Sequence, residues 1–222
     1  LFKPRLPDRE TIRGKTEIQY RYKKQSGGRG QYGDVHLRIE PNARGEGFVF
    51  LDEIKGGVIP SKFIPSVEKG VVEAMTDGGL SGSQVVDVKV TVFYGSYHAV
   101  DSSDMAFKMA GLMAFKEGFM QCKPVLLEPI YSVEILVPDD YTGDVMGDIS
   151  SRRGKIAGMD PEGRYQRIRA TVPQAELYNY SVDLRSMTSG QGVYTRKFSH
   201  YEEVPHEITE KVVAEIKQAR EA

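Results

Sequence analysis

The second half of the chain alternates between strand-like and helix-like apolar spacing, and the order of these segments limits the fold more than any other feature of the sequence. Apolar residues two apart predict a half-buried strand, and apolar residues three or four apart predict a helix. Two split strand–helix–strand units in succession form a ferredoxin-like sandwich, a four-stranded antiparallel sheet with both helices on one face. The predicted segments are strand 131–137, helix 139–152, strand 155–159, strand 166–172, helix 173–188 and strand 192–201, with a tight turn at 160–163.

The first half of the chain predicts a separate α/β unit. Val35, Leu37 and Ile39 alternate with polar and charged residues and predict a half-buried strand. A helix from about residue 102 to 121 is apolar all round, which predicts burial between other elements, and Asp101 is placed to cap it. The remaining predictions are strands at 16–24, 48–54 and 86–92, a helix at 64–75, a linker at 123–129 and, after Pro205, an amphipathic helix that is expected to pack on the first unit.

The charge balance excludes a general polycation. The chain carries 30 basic and 31 acidic side chains, so any nucleic-acid contact has to come from local patches. A single cysteine, Cys122, excludes an intrachain disulfide and suits the reducing cytoplasm. No apolar run approaches the roughly 20 residues that cross a bilayer, so a membrane partner is not expected. Because the chain begins at Leu1 without an initiator methionine, we expect it to be a piece of a longer protein.

A glycine-rich stretch matches two nucleotide-binding patterns, and its surroundings argue against both. Gly28, Gly30 and Gly33 have the G-x-G-x-x-G spacing of dinucleotide-binding proteins, but that site requires a helix to begin directly afterwards. Here a strand pattern follows. The stretch is also spaced like a P-loop, but Asp34 stands where the essential lysine belongs, and its carboxylate would repel a phosphate. The sequence therefore predicts no nucleotide cofactor here.

The same stretch carries features that suit contact with RNA. Lys23, Lys24 and Arg29 are basic, Tyr32 offers a stacking face, and glycines let a backbone approach another backbone closely. The alternative is a mobile hairpin tip that happens to be rich in glycine. A second polar loop contains His98, which is either a solvated loop residue or part of one common tip, if both loops lie at the same end of the sheet. Its neighbours offer no convincing catalytic triad.

Histidines and arginines elsewhere give weaker signals. The four histidines, His36, His98, His200 and His206, are scattered singly, so with one cysteine a zinc site is not expected. Arg152, Arg153 and Lys155 form a basic cluster at a predicted helix end. That cluster either interacts favourably with the helix dipole or contacts phosphate.

Several longer motifs, in order along nearly the whole chain, resemble the C-terminal half of bacterial elongation factor G. The matching stretches are residues 9–12 (RETI), 24–33 (KQSGGRGQYG), 55–60 (KGGVIP), 95–98 (GSYH), 100–103 (VDSS), 114–119 (AFKEGF), 123–130 (KPVLLEPI), 143–145 (GDV), 152–154 (RRG), 183–186 (DLRS) and 200–205 (HYEEVP).

The resemblance implies an α+β protein of two domains. Residues 1–127 with 204–222 resemble domain IV of the family, an α/β domain of the ribosomal protein S5 domain 2-like type with a left-handed βαβ crossover, an exception to the usual right-handed rule. Residues 128–203 resemble the ferredoxin-like domain V. The C-terminal helix is expected to pack back on the first domain.

The resemblance also implies a function in translation. Domain IV of the family enters the small-subunit decoding site and follows transfer RNA and messenger RNA during translocation, and domain V lies against large-subunit ribosomal RNA. These residues would hold no cofactor and perform no catalysis, whereas GTP and magnesium belong to an N-terminal domain of the family. The expected partner is the ribosome, with the protein monomeric. The tip residues carried over are Gln25, Ser26, Gly27, Gly28, Arg29, Gly30, Gln31, Tyr32, Gly95, Ser96, Tyr97 and His98, and the candidates for ribosomal RNA contact are Arg152, Arg153 and Lys155.

Some residues depart from the family pattern and keep other functions open. Asp34 is expected to add negative charge beside the tip, and residues 160–164 and 174–180 match only loosely, which suggests a divergent paralogue. Such a paralogue would act in ribosome recycling or ribosome protection. A free-standing RNA-binding module is the alternative from a different class.

Overall fold

The computed structural model describes residues 5–25 and 27–222, which form two compact units. The first unit comprises Asp8–Leu127 and Val204–Ala222, and the second comprises residues 5–7 and Glu128–Glu203. Residues 5–7 were predicted in the first domain. They belong instead to the second unit, where the main chain of Leu6 exchanges two hydrogen bonds of 3.0 and 2.9 Å with the side chain of Gln174.

A four-stranded mixed sheet forms the body of the first unit. Its strands are β2 (Thr16–Lys24), β3 (Gln31–Pro41), β4 (Val49–Asp52) and β6 (Val88–Ser96), in the order β2-β3-β6-β4. The pairs β2–β3 and β3–β6 are antiparallel, whereas β4 and β6 are parallel and are joined through helix α1 (Ile64–Asp77). The expected βαβ unit is therefore present, and its left-handed crossover stays a prediction.

Three further strands and two further helices complete this unit. Strand β1 (Arg9–Ile12) lies between β5 (Gln84–Val85) and the start of β7 (Pro124–Pro138), so the predicted linker at 123–129 is wrong because most of it pairs as a strand. Helix α2 (Asp104–Gln121) packs against α1, β2 and β3. The C-terminal helix α5 (His206–Glu221) belongs to this unit, as predicted, but its apolar stripe is only half buried. No helix among residues 5–25 and 27–222 combines the length and apolarity needed to cross a bilayer.

The core of the first unit lies between the sheet and the two long helices. Val35, Leu37 and Ile39 are fully buried, which confirms the period-two prediction for β3. The helices α1 and α2 touch at glycines: a Cβ at Gly70 would lie 2.0 Å from the carbonyl oxygen of Lys108. Close packing at this crossing therefore depends on the missing side chain.

The start of α2 differs from the prediction. The helix begins at Asp104, and the side chain of Ser103 accepts a hydrogen bond of 3.1 Å from the amide of Ala106. The prediction that Asp101 caps this helix is therefore wrong. The chain from residue 97 to 103 forms a separate turn first, so the capping position falls two residues later than the spacing suggested.

The second unit is the predicted βαββαβ sandwich. Its sheet has the order β10-β7-β9-β8, and its core lies between the sheet and two helices. The strands are the later part of β7, β8 (Lys155–Glu162), β9 (Tyr165–Pro173) and β10 (Val193–Glu203), and the helices are α3 (Thr142–Ser151) and α4 (Tyr180–Met187).

Two details of this unit correct the prediction. Strands β8 and β9 pair as far as Glu162 and Tyr165, so the turn contains only Gly163 and Arg164 instead of residues 160–163. The helix predicted at 173–188 is divided into a short 3-10 turn and α4, because Asn179 adopts a left-handed φ of 55° that a continuous helix cannot contain.

The single thiol is protected by the first core. Cys122 is fully buried, and this burial raises the pKa of its thiol to about 11. Because the thiolate is the reactive form, we expect the folded chain to resist iodoacetamide at mildly alkaline pH and to be alkylated at Cys122 once urea unfolds it. Mass spectrometry measures both states. Labelling of the folded chain at the rate of the unfolded chain would contradict this assignment.

Candidate nucleic-acid interface

Two loops at one end of the first unit form its tip, which comprises residues 25 and 27–32 between β2 and β3 together with residues 95–102 at the end of β6. The β3–β6 register pairs Asp34 with Ser96, so the start of β3 lies beside the end of β6. The β2–β3 hairpin ends at the same place, with Lys24 opposite Gln31. Strand pairing alone therefore brings together two segments that are about 65 residues apart in the sequence.

Direct hydrogen bonds join the two loops. The guanidinium of Arg29 donates from Nε and Nη2 to the carbonyl oxygen of Val100, at 3.0 and 2.7 Å. The amide of Tyr32 donates to the carbonyl oxygen of Asp101 at 3.0 Å, and Ser102 Oγ donates to the carbonyl oxygen of Tyr32 at 2.8 Å. The two loops therefore meet in one tip, which is the arrangement that the RNA-contact hypothesis required.

The predicted tip residues differ in their exposure. The middle of the glycine loop and the part of the second loop after Ser96 are exposed to solvent. The residues nearest the sheet are half buried or buried. Gln25, Gly27, Gly28, Arg29, Tyr97 and His98 are exposed, Gly30, Gln31, Tyr32 and Ser96 are half buried, Gly95 is buried, and Ser26 lies outside the described residues.

Asp34 is a structural residue. Its side chain is almost fully buried and accepts hydrogen bonds from Gln19 Nε2 at 2.9 Å and from Ser96 Oγ at 2.7 Å, with Arg21 Nη2 at 3.7 Å. The hydroxyl of Tyr32 lies 2.7 Å from the same Ser96 oxygen. The Asp34 carboxylate lies beside the tip, as expected, but it is buried among donors and joins the two tip strands instead of facing a ligand.

His98 lies at the turn that follows β6. Its side chain is 53% exposed, and its Nδ1 atom accepts hydrogen bonds from the amides of Val100 at 3.2 Å and Asp101 at 3.0 Å. Its own amide donates to Ser102 Oγ at 2.9 Å. The ring is thus held by the turn on one side and open on the other.

A third loop adjoins the tip and was not included among the predicted site residues. The amide of Glu53 donates to the carbonyl oxygen of Val92, which continues the β4–β6 pairing towards the tip. Ile59 packs so closely on the β6 backbone that a Cβ at Gly95 would lie 2.5 Å from its Cδ1 atom. Residues 55–57, Lys-Gly-Gly, are exposed. The sequence contained this motif, but only the parallel pairing of β4 with β6 shows that it lies beside the tip.

An aromatic cluster lies on the sheet face opposite the buried valine and leucine side chains. The register shifts between His36 and Leu37, and this bulge lets His36 contact two successive rings of β6. The centroid of His36 lies 5.8 Å from that of Phe93 and 5.1 Å from that of Tyr94, and the guanidinium of Arg38 lies 5.0 Å from the Phe93 ring centroid. Strict alternation cannot predict this cluster because the bulge breaks the period.

The two arginines of the basic cluster in the second unit are paired with acidic side chains of the same unit. Arg153 makes a bidentate pair with Glu128, at 2.6 and 3.0 Å, and a further bond of 3.2 Å to Glu176. The hydrogen bonds from Arg153 to Glu128 raise the pKa of this arginine above its ordinary value.

Arg152 is occupied in the same way, whereas Lys155 is exposed. Arg152 donates to Asp148 at 2.8 Å, to Asp183 at 2.6 Å and to the carbonyl oxygen of Glu176 at 2.8 Å. The geometry therefore favours a structural role for both arginines, and their contact with ribosomal RNA stays a prediction. Within residues 5–25 and 27–222, no three His, Cys, Asp or Glu side chains are grouped so that they could hold a metal ion.

Comparisons with known proteins agree with the two-unit architecture. The family model described as elongation factor G, domain IV, matches residues 4–123, and the model described as elongation factor G C-terminus matches residues 125–212. Elongation factor G of Aquifex pyrophilus is 54% identical over 213 residues, which cover 96% of this chain and 30% of that protein. A crystal structure from Thermus thermophilus superposes with a TM-score of 0.82 at 47% identity, covering 97% of this chain and 32% of that chain.

The chain thus spans about a third of the length of the relatives that it matches. The domain IV model alone covers more than half of the sequence, and it covers most of the first unit, including both loops of the tip. The chain therefore belongs to the elongation factor G family, of which it comprises domain IV and the C-terminal region.

Proposed function

We propose that this chain is the ribosome-engaging part of a translation elongation factor that promotes the translocation of transfer RNA and messenger RNA. In this proposal, the tip of the first unit enters the decoding site of the small subunit. The second unit meets ribosomal RNA of the large subunit, with Lys155 as the exposed basic contact. GTP and magnesium would be bound by another domain of the whole factor, which would act in the cytoplasm.

The observation that carries the proposal is the convergence of the two loops. Arg29 and Val100 are bonded across the tip, and the exposed groups around them include main-chain groups of glycine, a guanidinium and an imidazole, beside the exposed side chains of Tyr97 and Val100. The glycines add no side-chain bulk, and the polar groups supply hydrogen-bond donors, which suits close approach to an RNA backbone. The bonds to the carbonyl oxygens of Asp101 and Tyr32 hold the loops together before any ligand arrives.

The mechanism requires no covalent chemistry from these residues. A tip that fits the decoding site only after the transfer RNA has moved would disfavour backward movement by binding one ribosomal state better than the other. The shift in the equilibrium is limited by that difference in affinity. A braced tip serves this purpose because little conformational entropy is lost when it binds.

We expect His98→Ala in the complete gene product to slow translocation about tenfold, as the loss of one hydrogen bond to a charged RNA group would. GTP hydrolysis should remain nearly unchanged. Rapid kinetics with a fluorescent messenger RNA measures the first rate, and phosphate release measures the second. His206→Ala is the matched control, because His206 is a highly exposed histidine of the same chain, on α5.

Three results would count against the proposal. An unchanged translocation rate for His98→Ala would remove the tip from the mechanism. Equal slowing by His206→Ala would show that the effect is not specific to the tip. A wild-type product that splits ribosomal subunits but does not promote translocation would replace this function with ribosome recycling.

A further inference from the structure

The imidazole of His98 has one nitrogen already occupied within the tip. The amides of Val100 and Asp101 both donate to Nδ1, at 3.2 and 3.0 Å. A ring nitrogen that accepts an N–H cannot carry a proton of its own, and a neutral imidazole has one donor and one acceptor. These two contacts therefore assign the proton to Nε2 and make the ring neutral.

The competing arrangement is a protonated ring paired with Asp101. The Oδ2 atom of that carboxylate lies 3.6 Å from Nδ1, which is longer than a hydrogen bond. A proton on Nδ1 would also point against two amides that aim at the same atom, and it would leave both amides without this acceptor. The geometry thus favours the neutral ring.

The orientation of the ring is held by its surroundings. The amide of His98 donates to Ser102 Oγ at 2.9 Å, the amide of Ser102 donates to the carbonyl oxygen of His98 at 3.1 Å, and Ser102 Oγ donates to Tyr32. With the Nδ1 edge directed into the turn and the side chain 53% exposed, the opposite edge carries Nε2. Among the described residues, the hydrogen bonds to the His98 ring are both made at Nδ1.

We propose that His98 acts as a neutral donor that presents Nε2–H to an acceptor oxygen of the RNA backbone, and that the turn of residues 98–102 sets this tautomer. The inference rests on the proposed function for its ligand, whereas the tautomer rests on the contacts within the chain. A donor of this kind recognises a phosphate or ribose oxygen at one point. It does not attract RNA as a long-range positive charge.

The tautomer is tested on the chain itself, without the ribosome. Two-bond proton–nitrogen correlation spectra of ¹⁵N-histidine-labelled chain distinguish the two ring nitrogens. At mildly alkaline pH we expect unprotonated Nδ1 and protonated Nε2 for His98, whose signal is identified as the one lost in His98→Gln. A proton on Nδ1, or a tautomer mixture like that of a free peptide, would overturn the assignment.

The donor is tested with two amide substitutions in the complete gene product. In His98→Gln, the amide nitrogen can reach the position of Nε2 but does not cap the turn. In His98→Asn, the amide oxygen can take the place of Nδ1 and accept from Val100 and Asp101, but the side chain ends short of Nε2. We expect His98→Asn to slow translocation about tenfold and His98→Gln to retain most of the rate.

The reverse order would overturn the donor role. If His98→Asn kept the wild-type rate and His98→Gln lost it, the ring would act only by bracing the turn. Equal activity of His98→Lys would show that positive charge is sufficient. Failure of the wild-type product to promote translocation would refute the proposed function while leaving the spectroscopic result intact.

Discussion

Replacement of Glu10 by alanine is expected to lower the free energy of unfolding of the first unit by about 3–5 kcal/mol, because a buried carboxylate that accepts several hydrogen bonds is lost. The carboxylate is fully buried and accepts from the amides of Gly79, Leu80 and Ser81 at 2.7, 2.8 and 3.1 Å. It also accepts from the Ser81 hydroxyl at 3.2 Å and from the amide of Ser83 at 2.8 Å. Without it, four amides would lose a charged acceptor, and a hydrogen bond to a charged group contributes about 1.5–3 kcal/mol.

Urea unfolding followed by circular dichroism measures this loss, and hydrogen exchange at residues 79–83 locates it. Glu10→Gln should also destabilise the first unit, because the NH₂ group of the glutamine would face backbone N–H donors and cannot accept their hydrogen bonds. The matched control is Glu17→Ala, which removes an exposed glutamate that pairs with Arg38 on the sheet surface. Exposed ion pairs contribute little, so its unfolding midpoint should stay close to that of the wild type. Equal midpoints for Glu10→Ala and the wild type would show that the loop does not depend on the carboxylate.

Replacement of Arg153 by alanine should lower the stability of the second unit by about 3–5 kcal/mol. The side chain of Glu128 is only 7% exposed, and the Arg153 guanidinium is its bidentate partner. Removing the cation leaves a buried carboxylate without a counter-charge. This uncompensated charge is the main cause of the destabilisation when a buried pair is broken. The double variant Arg153→Ala, Glu128→Gln should recover part of the loss, and a double-mutant cycle measures the coupling.

The same variants separate the structural role of this cluster from contact with ribosomal RNA. Lys155→Ala is the control, because Lys155 is exposed and its removal should leave the unfolding midpoint unchanged. If Lys155 contacts RNA, this variant should weaken ribosome binding without a change in stability. Wild-type stability of Arg153→Ala, combined with weaker ribosome binding, would assign Arg153 to RNA contact and would refute the structural role.

Apolar spacing predicted the elements best where packing follows a regular period. The alternation of Val35, Leu37 and Ile39 and the succession of six segments in the second unit both correspond to the structure. These predictions succeed because burial of one strand or helix face depends on positions along a single segment. They fail at Asn179, whose left-handed backbone interrupts the predicted helix, and they do not reveal the ring contacts of His36, which depend on a register shift against β6.

At the tip, too, the residues were predictable from the local sequence, whereas their contacts with distant segments were not. Its glycine, basic and histidine residues were identified from motifs, and its helix cap was misplaced by two residues because Asp101, Ser102 and Ser103 are all capping residue types. In the structure Ser103 caps the helix, whereas Ser102 bonds to the carbonyl oxygen of Tyr32, about 70 residues earlier in the chain. The burial of Asp34 was likewise unpredictable, since it depends on Ser96 from another strand.

The sequence by itself determined the two-unit order, the strand and helix faces and the residues of the two loops, because these follow from local spacing and composition. Only the tertiary structure decided which charges are exposed. Arg152, Arg153 and Asp34 are as polar in the sequence as Arg29 and Lys155, but partners from distant segments surround the first three. Arg29 also bonds to a distant segment, at the carbonyl oxygen of Val100, but it stays exposed. A charge is available to a ligand only if the fold leaves it exposed, and that depends on contacts between segments far apart in the chain.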